Sequence, residues 1–154
     1  MKAAYLTGNA IDLLQNGSEF FPALIAAIDA AEREFHLETY IFEDDATGRA
    51  VAGALCRAAR RGVAVRVLAD GFGAADFVAT LRPQLEAAGV QVLVYRPEIA
   101  RFHMRRHRLR RLHRKLAVAD GRSAFVGGIN IVDDIDAAHP APPRFDYAVR
   151  VEGP

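Results

Sequence analysis

Three apolar strand-like segments separated by two helical stretches leave this chain few folds to choose from. Residues 35–42, Phe-His-Leu-Glu-Thr-Tyr-Ile-Phe, are rich in β-branched and aromatic types and have the length of a strand buried in a sheet. Val63, Val65 and Val67 alternate as a second strand, and Val90, Val92 and Val94 as a third. Between the first two, Thr47 opens a helix carrying Val51, Ala54, Leu55 and Ala58 on one face, with Gly62 placed to close it. Between the second and third runs a helical stretch from 74 to 88, with Pro83 kinking it or starting its second piece and Gly89 ending it. Strand, helix, strand, helix, strand argues an α/β layer with right-handed crossovers and a largely parallel sheet.

Before this unit, Ser18 is expected to cap a helix with Phe21, Leu24, Ile25 and Ile28 on one face, Pro22 being tolerated in the first turn. After Arg96-Pro97 the alternation breaks and resumes as short strands at 116–119, 123–126 and 147–151, while 137–143, with three prolines, reads as a loop. The 154 residues are 51% hydrophobic, enough for one domain with one core. The single cysteine, Cys56, excludes an internal disulfide and reads as a small buried thiol. Residues 1–9 lack the pattern of a signal peptide, and no apolar run approaches the roughly 20 residues of a membrane span, so a soluble or peripheral chain is expected.

The net charge of +1 conceals a strong asymmetry: seven arginines, Lys115 and three histidines fall between Arg101 and Lys115, with no acidic residue between Glu98 and Asp120. Phe102, Met104, Leu109 and Leu112 are interleaved with these cations, a mixture suited to an anionic membrane surface. Nucleic-acid phosphates, or solvent alone, are the other readings.

At the end of this basic segment, His113, Lys115, Asp120, Gly127, Gly128 and Asn130 follow the pattern H-x-K-x4-D-x6-G-G-x-N. Six fixed types at about one residue in twenty each make a chance match on the order of one in several hundred thousand. The chemistry can be argued from the types alone. An imidazole is nucleophilic and partly deprotonated at cellular pH, so His113 fits attack at a phosphorus. Two residues along a strand, Lys115 projects to the same face and can hold non-bridging oxygens. Asn130 adds an amide donor, and Gly127-Gly128 lets backbone come close to a phosphate. His113, Lys115 and Asn130 are therefore expected to converge at the sheet edge. An attacking imidazole needs its other nitrogen bonded to an acceptor, for which Asp120 and Asp146 are the candidates.

The spaced motif is the signature of the phospholipase D superfamily. Gly8-Asn9, 13–17, 37–42, 61–63, 68–71 and 146–149 extend the resemblance over nearly the whole chain, and together they resemble the bacterial cardiolipin synthase branch. The resemblance implies a phospholipase D-like layered α/β/α fold with a mixed, largely parallel sheet, residues 1–154 forming one catalytic half. It implies a phosphatidyltransferase or phosphodiesterase acting through a phosphohistidine on anionic phospholipid, peripheral on the cytoplasmic side of a bacterial inner membrane. No metal and no cofactor are implied. His113, Lys115, Asp120 and Asp146 form the implied catalytic set; Gly128 and Asn130 join His113 and Lys115 around the phosphate.

In families of this kind an acidic residue some fifteen positions beyond the motif asparagine orients the histidine, which favours Asp146 as orienter, within hydrogen-bond reach of His113, and leaves Asp120 structural. Glu38 either lines the site or is a paired buried carboxylate. Asp133, Asp134 and Asp136 read as a solvated acidic loop rather than a metal site, and His36, His103, His107 and His139 lack zinc spacing. One histidine cannot easily serve both as nucleophile and as acid for the leaving group, so a second motif is expected, on a longer version of this chain or on a second copy. The other readings are a single-motif homodimeric phosphodiesterase acting on nucleic acid, and a non-catalytic module binding anionic surfaces.

Overall fold

A computed structural model describes residues 7–97, 111–133 and 145–153. Most of the basic segment, with His103 and His107, lies outside these residues, as do the proline-rich loop, Asp134, Asp136 and His139. The described elements, in order, are β1 (Ala10–Gln15), α1 (Asn16–Ala30), β2 (Glu34–Thr39), α2 (Ala46–Arg60), β3 (Ala64–Asp70), α3 (Ala75–Thr80), α4 (Arg82–Ala87), β4 (Gln91–Tyr95), β5 (Leu116–Ala119), β6 (Ser123–Gly127) and β7 (Tyr147–Glu152). The seven strands make one mixed sheet in the order β1-β7-β6-β5-β2-β3-β4.

Among the named strands, parallel pairing is found at β2, β3 and β4, where the strand–helix alternation was legible. The other four pairings are antiparallel, with β5, β6 and β7 forming a meander and β1 closing the edge. β1 was not anticipated. Its Ile11 and Leu13 are 68% and 64% exposed, so it lacks the buried apolar run that marks a strand from sequence.

Helix starts differ from expectation by one to three residues. α1 begins at Asn16 with Gln15 as its cap, and the Gln15 N–H donates to Glu19 Oε2 at 2.8 Å, so Ser18 lies inside the first turn. Asp45 caps α2, accepting the Gly48 N–H at 2.7 Å, and Thr47 follows it. The third helical stretch is two helices, with Pro83 in the first turn of α4, where its missing N–H costs nothing.

Side-chain alternation sorts the sheet into two faces. Phe125, Ala117, Leu37, Val67 and Val92 lie side by side across the strands, and the first four are buried with Leu24 and Ile28 of α1 and Val51 and Leu55 of α2. On the opposite face, Leu13, Val149, Val126, Leu116, Glu38, Leu68 and Leu93 form a row spanning all seven strands. Leu13, Val126 and Leu93 in this row are more than half exposed, so among the described residues the helices cover one face only. Replacing the fully buried Leu24 by Ala is expected to lower stability by about 3–5 kcal/mol, read as a lower urea midpoint with an unchanged slope.

Candidate functional site

β2 ends at Thr39, and the three residues after it, expected to continue the strand, instead turn across the sheet edge. Thr39 Oγ1 donates to the Ile41 carbonyl at 2.8 Å and fixes that turn. The segment after β6 runs alongside: Ile131 N–H donates to the Ile41 carbonyl at 3.1 Å, Glu43 N–H to the Ile131 carbonyl at 2.9 Å, and Phe42 bridges to Ile131. Within it Asn130 Oδ1 accepts the Ile41 N–H at 3.2 Å, which leaves the side-chain NH2 as its donor.

His113 and Lys115 lie on the segment entering β5, with Lys115 Nζ 3.2 Å from His113 Nε2. A charged ammonium has only donors, so this contact is a hydrogen bond when Nε2 presents its lone pair, the tautomer with the ring proton on Nδ1. Tyr40 floors both groups. Its ring centroid is 5.0 Å from that of the imidazole, and Nζ stands 5.4 Å from the same centroid in a cation–π contact. Burial pushes Lys115 below the ordinary lysine range, against the Asp146 carboxylate, whose charge acts the other way. The imidazole itself is exposed. A lone pair, a half-buried cation and an amide donor are thus gathered around Tyr40-Ile41, a set able to receive an anion.

The glycine pair is explained by close approach. A side chain on Gly127 would enter the Tyr147 carbonyl and Ala148, and one on Gly128 would enter the Asp146 carboxylate, so β6 meets β7 at a distance only glycine permits. The Gly127 N–H reaches the Lys115 carbonyl at 3.3 Å and the Gly128 N–H the Tyr147 carbonyl at 2.9 Å. In this structure Gly128 N–H is therefore held by the sheet rather than turned toward a phosphate.

The two aspartates are in different places. Asp120 lies beyond the far end of β5, with Oδ2 accepting the Glu32 N–H at 2.9 Å and Oδ1 those of Arg33 and Glu34 at 2.8 and 2.9 Å. It adopts φ +53°, a conformation aspartate tolerates. Its carboxylate ties the start of β2 to the end of β5 and does not approach the imidazole. Asp146 stands on the Lys115 side, against Gly128, its Oδ1 accepting the Tyr147 N–H at 2.8 Å. Among the described residues, the expected hydrogen bond from the His113 ring N–H to the Asp146 carboxylate is not formed. Glu38 lies in the row on the uncovered face, beside Arg114, whose Nε is 2.7 Å from Oε2. The N–H does not point along that line, so this is an ion pair without an aligned hydrogen bond.

With this geometry, the comparisons decide the family. A family model described as "Cardiolipin synthase, PLD-like domain" matches residues 24–134. The chain belongs to that family. It is 42% identical over all 154 residues to cardiolipin synthase B of Escherichia coli (strain K12) and of Shigella flexneri, covering 37% of each. It is 35% identical over 150 residues to cardiolipin synthase A of Pseudomonas putida, covering 31% of it. The chain thus spans about a third of the length of these relatives. Among solved structures, the phospholipase D family member Nuc of Salmonella typhimurium matches with a TM-score of 0.69 at 17% identity, over 95% of this chain and 84% of Nuc. Phosphatidylserine synthase of Haemophilus influenzae matches at 0.68 and 18%, over 93% of this chain and 33% of that one. These two likenesses concern the fold.

Two residues that hold this phospholipase D-like site together were not singled out from sequence. Tyr40 is one; its only signal was its place in the family-like segment. The other is Asn16, at φ +57°, whose Oδ1 accepts the Asp146 N–H at 3.0 Å while its own N–H donates to the Asp146 carbonyl at 2.9 Å. Asn16 thereby fixes the backbone that presents Asp146.

Asp120 sets a pH signature. Burial acts to raise its pKa, but the three amide donors and the Arg33 charge outweigh it and hold the carboxyl below the ordinary aspartate value. The folded state binds that proton less tightly than the unfolded state, so the stabilisation is present above the unfolded value, about 3.9, and is lost as pH falls through the lowered folded value. Asp120→Asn is expected to cost about 1–2 kcal/mol at pH 6, the partly solvated carboxylate keeping the figure modest. In urea titrations the gap to wild type should shrink below pH 4; a gap constant down to pH 2 would refute this role.

Proposed function

We propose that this chain is one half of a phosphatidyltransferase working at an anionic membrane surface, making cardiolipin-type lipid when the acceptor is a lipid alcohol. The observation that carries the reading is the contact between Lys115 Nζ and His113 Nε2, which sets a lone-pair-bearing nitrogen beside a half-buried cation. His113 attacks the phosphorus of a phospholipid, forming a P–N bond as the P–O bond to the leaving alcohol breaks. Lys115 moves a donor from the imidazole to a non-bridging oxygen, and the Asn130 NH2 takes another, so charge on the phosphoryl group meets fixed donors. The acceptor hydroxyl then forms the new P–O bond and the P–N bond breaks, restoring His113.

Asp146 supports the cycle from the Lys115 side. As phosphate charge draws Lys115 away from Nε2, the Asp146 carboxylate can accept a hydrogen bond from Nδ1–H, which keeps the proton on the ring. Asp120 serves by fixing β5 against β2, and Glu38 by pairing with Arg114.

The leaving alkoxide needs a proton, and the proton returns when the acceptor is deprotonated; a second imidazole performs both transfers. The 37% share of the cardiolipin synthase relatives leaves ample length there for a second motif-bearing half. A second copy related by a two-fold axis would supply the same group. The exposed apolar row on the uncovered face is surface that such a partner can bury. None of the described helices is long and apolar enough to cross a membrane.

Turnover of a fluorescent phosphatidylglycerol in vesicles, followed over a dilution series, tests the reading. His113→Ala is expected to lower the rate by roughly a thousandfold or more, and Lys115→Met by about a hundredfold. The chain should be nearly inactive when dilute and gain specific activity with concentration or with the second half attached. Full activity from a demonstrated monomer would overturn the two-histidine scheme.

A further inference from the structure

Asp70 and Thr39 are the only polar residues buried among the described ones, and Asp70, at 0% exposure, carries a carboxylate. Burying such a group is costly unless its oxygens are satisfied. Here backbone N–H groups do so. Oδ1 accepts from Phe72 at 2.9 Å and Gly73 at 3.2 Å, bonds that would suffice to shape the turn after β3. Oδ2 makes a bond of a different kind, accepting at 2.8 Å the N–H of Leu112, 42 residues away and immediately before His113.

The same turn reaches the imidazole by a second route. Gly73 packs so closely on Tyr40 that a Cβ there would enter the Tyr40 carbonyl and ring, and Tyr40 is the floor under His113. The Arg111 guanidinium lies 5.0 Å from the Phe72 ring centroid, which lays the approach to Leu112 along the turn. On the other side, Gly71 N–H donates to the Tyr95 carbonyl at 2.8 Å and Pro97 occupies the space a Gly71 side chain would need. Leu112 itself is buried, so the residue that Asp70 grips cannot shift without disturbing packing.

We propose that Asp70 is a positioning residue for His113: its bond to the Leu112 N–H, together with the Gly73–Tyr40 contact, fixes where the imidazole stands and which nitrogen faces Lys115. The consequence for turnover rests on His113 being the nucleophile; the geometric claim does not. An imidazole displaced by about 1 Å from its reacting position can lose about a hundredfold in rate.

Asp70→Asn separates the two functions of the carboxylate. The amide keeps an oxygen for the Phe72 and Gly73 N–H groups but turns an NH2 toward the Leu112 N–H, donor against donor. Leu112→Pro removes the same bond from the donor side and leaves Asp70 untouched. Leu24→Ala, in the core under α1, is the control for lost stability alone. In the 15N-labelled chain, wild type and Leu24→Ala are expected to show nuclear Overhauser contacts between the Tyr40 and His113 rings and the Nδ1–H tautomer. Asp70→Asn and Leu112→Pro should lose those contacts and mix tautomers, and either variant decides the matter if the other fails to fold. In the active two-histidine assembly, kcat of Asp70→Asn should fall about 10- to 100-fold with KM nearly unchanged. Folded variants that keep the wild-type ring contacts and tautomer would overturn the proposal. Unchanged turnover in His113→Ala would instead overturn the functional reading and leave the ring contacts as the test of Asp70.

Discussion

Four residue pairs, from Phe35 opposite Ala119 to Glu38 opposite Leu116, join the parallel half of this sheet to its antiparallel half. Everything at the site depends on that antiparallel seam between β2 and β5. Because the strands run in opposite directions, the exit of β2 lies beside the entrance of β5, and Tyr40 meets His113 and Lys115 there. The seam is secured at both ends. Asp120 ties its lower end through three backbone N–H groups, and beyond its upper end Asn130 and Ile131 stitch the segment after β6 to Ile41. A motif spread over eighteen residues of sequence thus contributes to both ends of one seam, and only one end carries the proposed chemistry.

The upper end combines partial burial of a cation with exposure of the imidazole beside it. Burial raises the cost of keeping Lys115 charged, and the tyrosine face and the Asp146 charge offset part of it. An ammonium in that condition gains more from an arriving phosphate than a fully hydrated one would, because less water has to be removed. This is the physical sense in which the site is prepared for an anion before one arrives.

Much of this was legible in the residues. The alternation of valines with helical stretches gave β2, α2, β3, the two short helices and β4, because parallel strands buried on one face must be apolar and their crossovers must be helical. The spaced motif and its neighbours gave the family. What escaped shares one cause: it is long-range backbone bonding that no local pattern encodes. β1 is an edge strand whose Ile11 and Leu13 face outward, so its pattern carries little burial signal. Asp70 looks like any turn aspartate until Leu112 is brought to it from 42 residues away. Asn16 looks like part of a helix start, and its grip on Asp146 appears only when β1 and β7 pair. Glu38 sits in an apolar strand, and only the register shows that it faces away from the imidazole.

The central claim is that His113 becomes covalently bonded to phosphorus, and the most direct measurement is to stop the reaction under denaturing, alkaline conditions and look for the adduct. With a phosphatidylglycerol carrying a labelled phosphatidyl group, the account predicts a base-stable, acid-labile label on the peptide containing His113. The label should be absent in His113→Ala and discharged by an added alcohol acceptor. A fully active protein that carries no label at steady state or in rapid quench, or whose label sits on another residue, would contradict it.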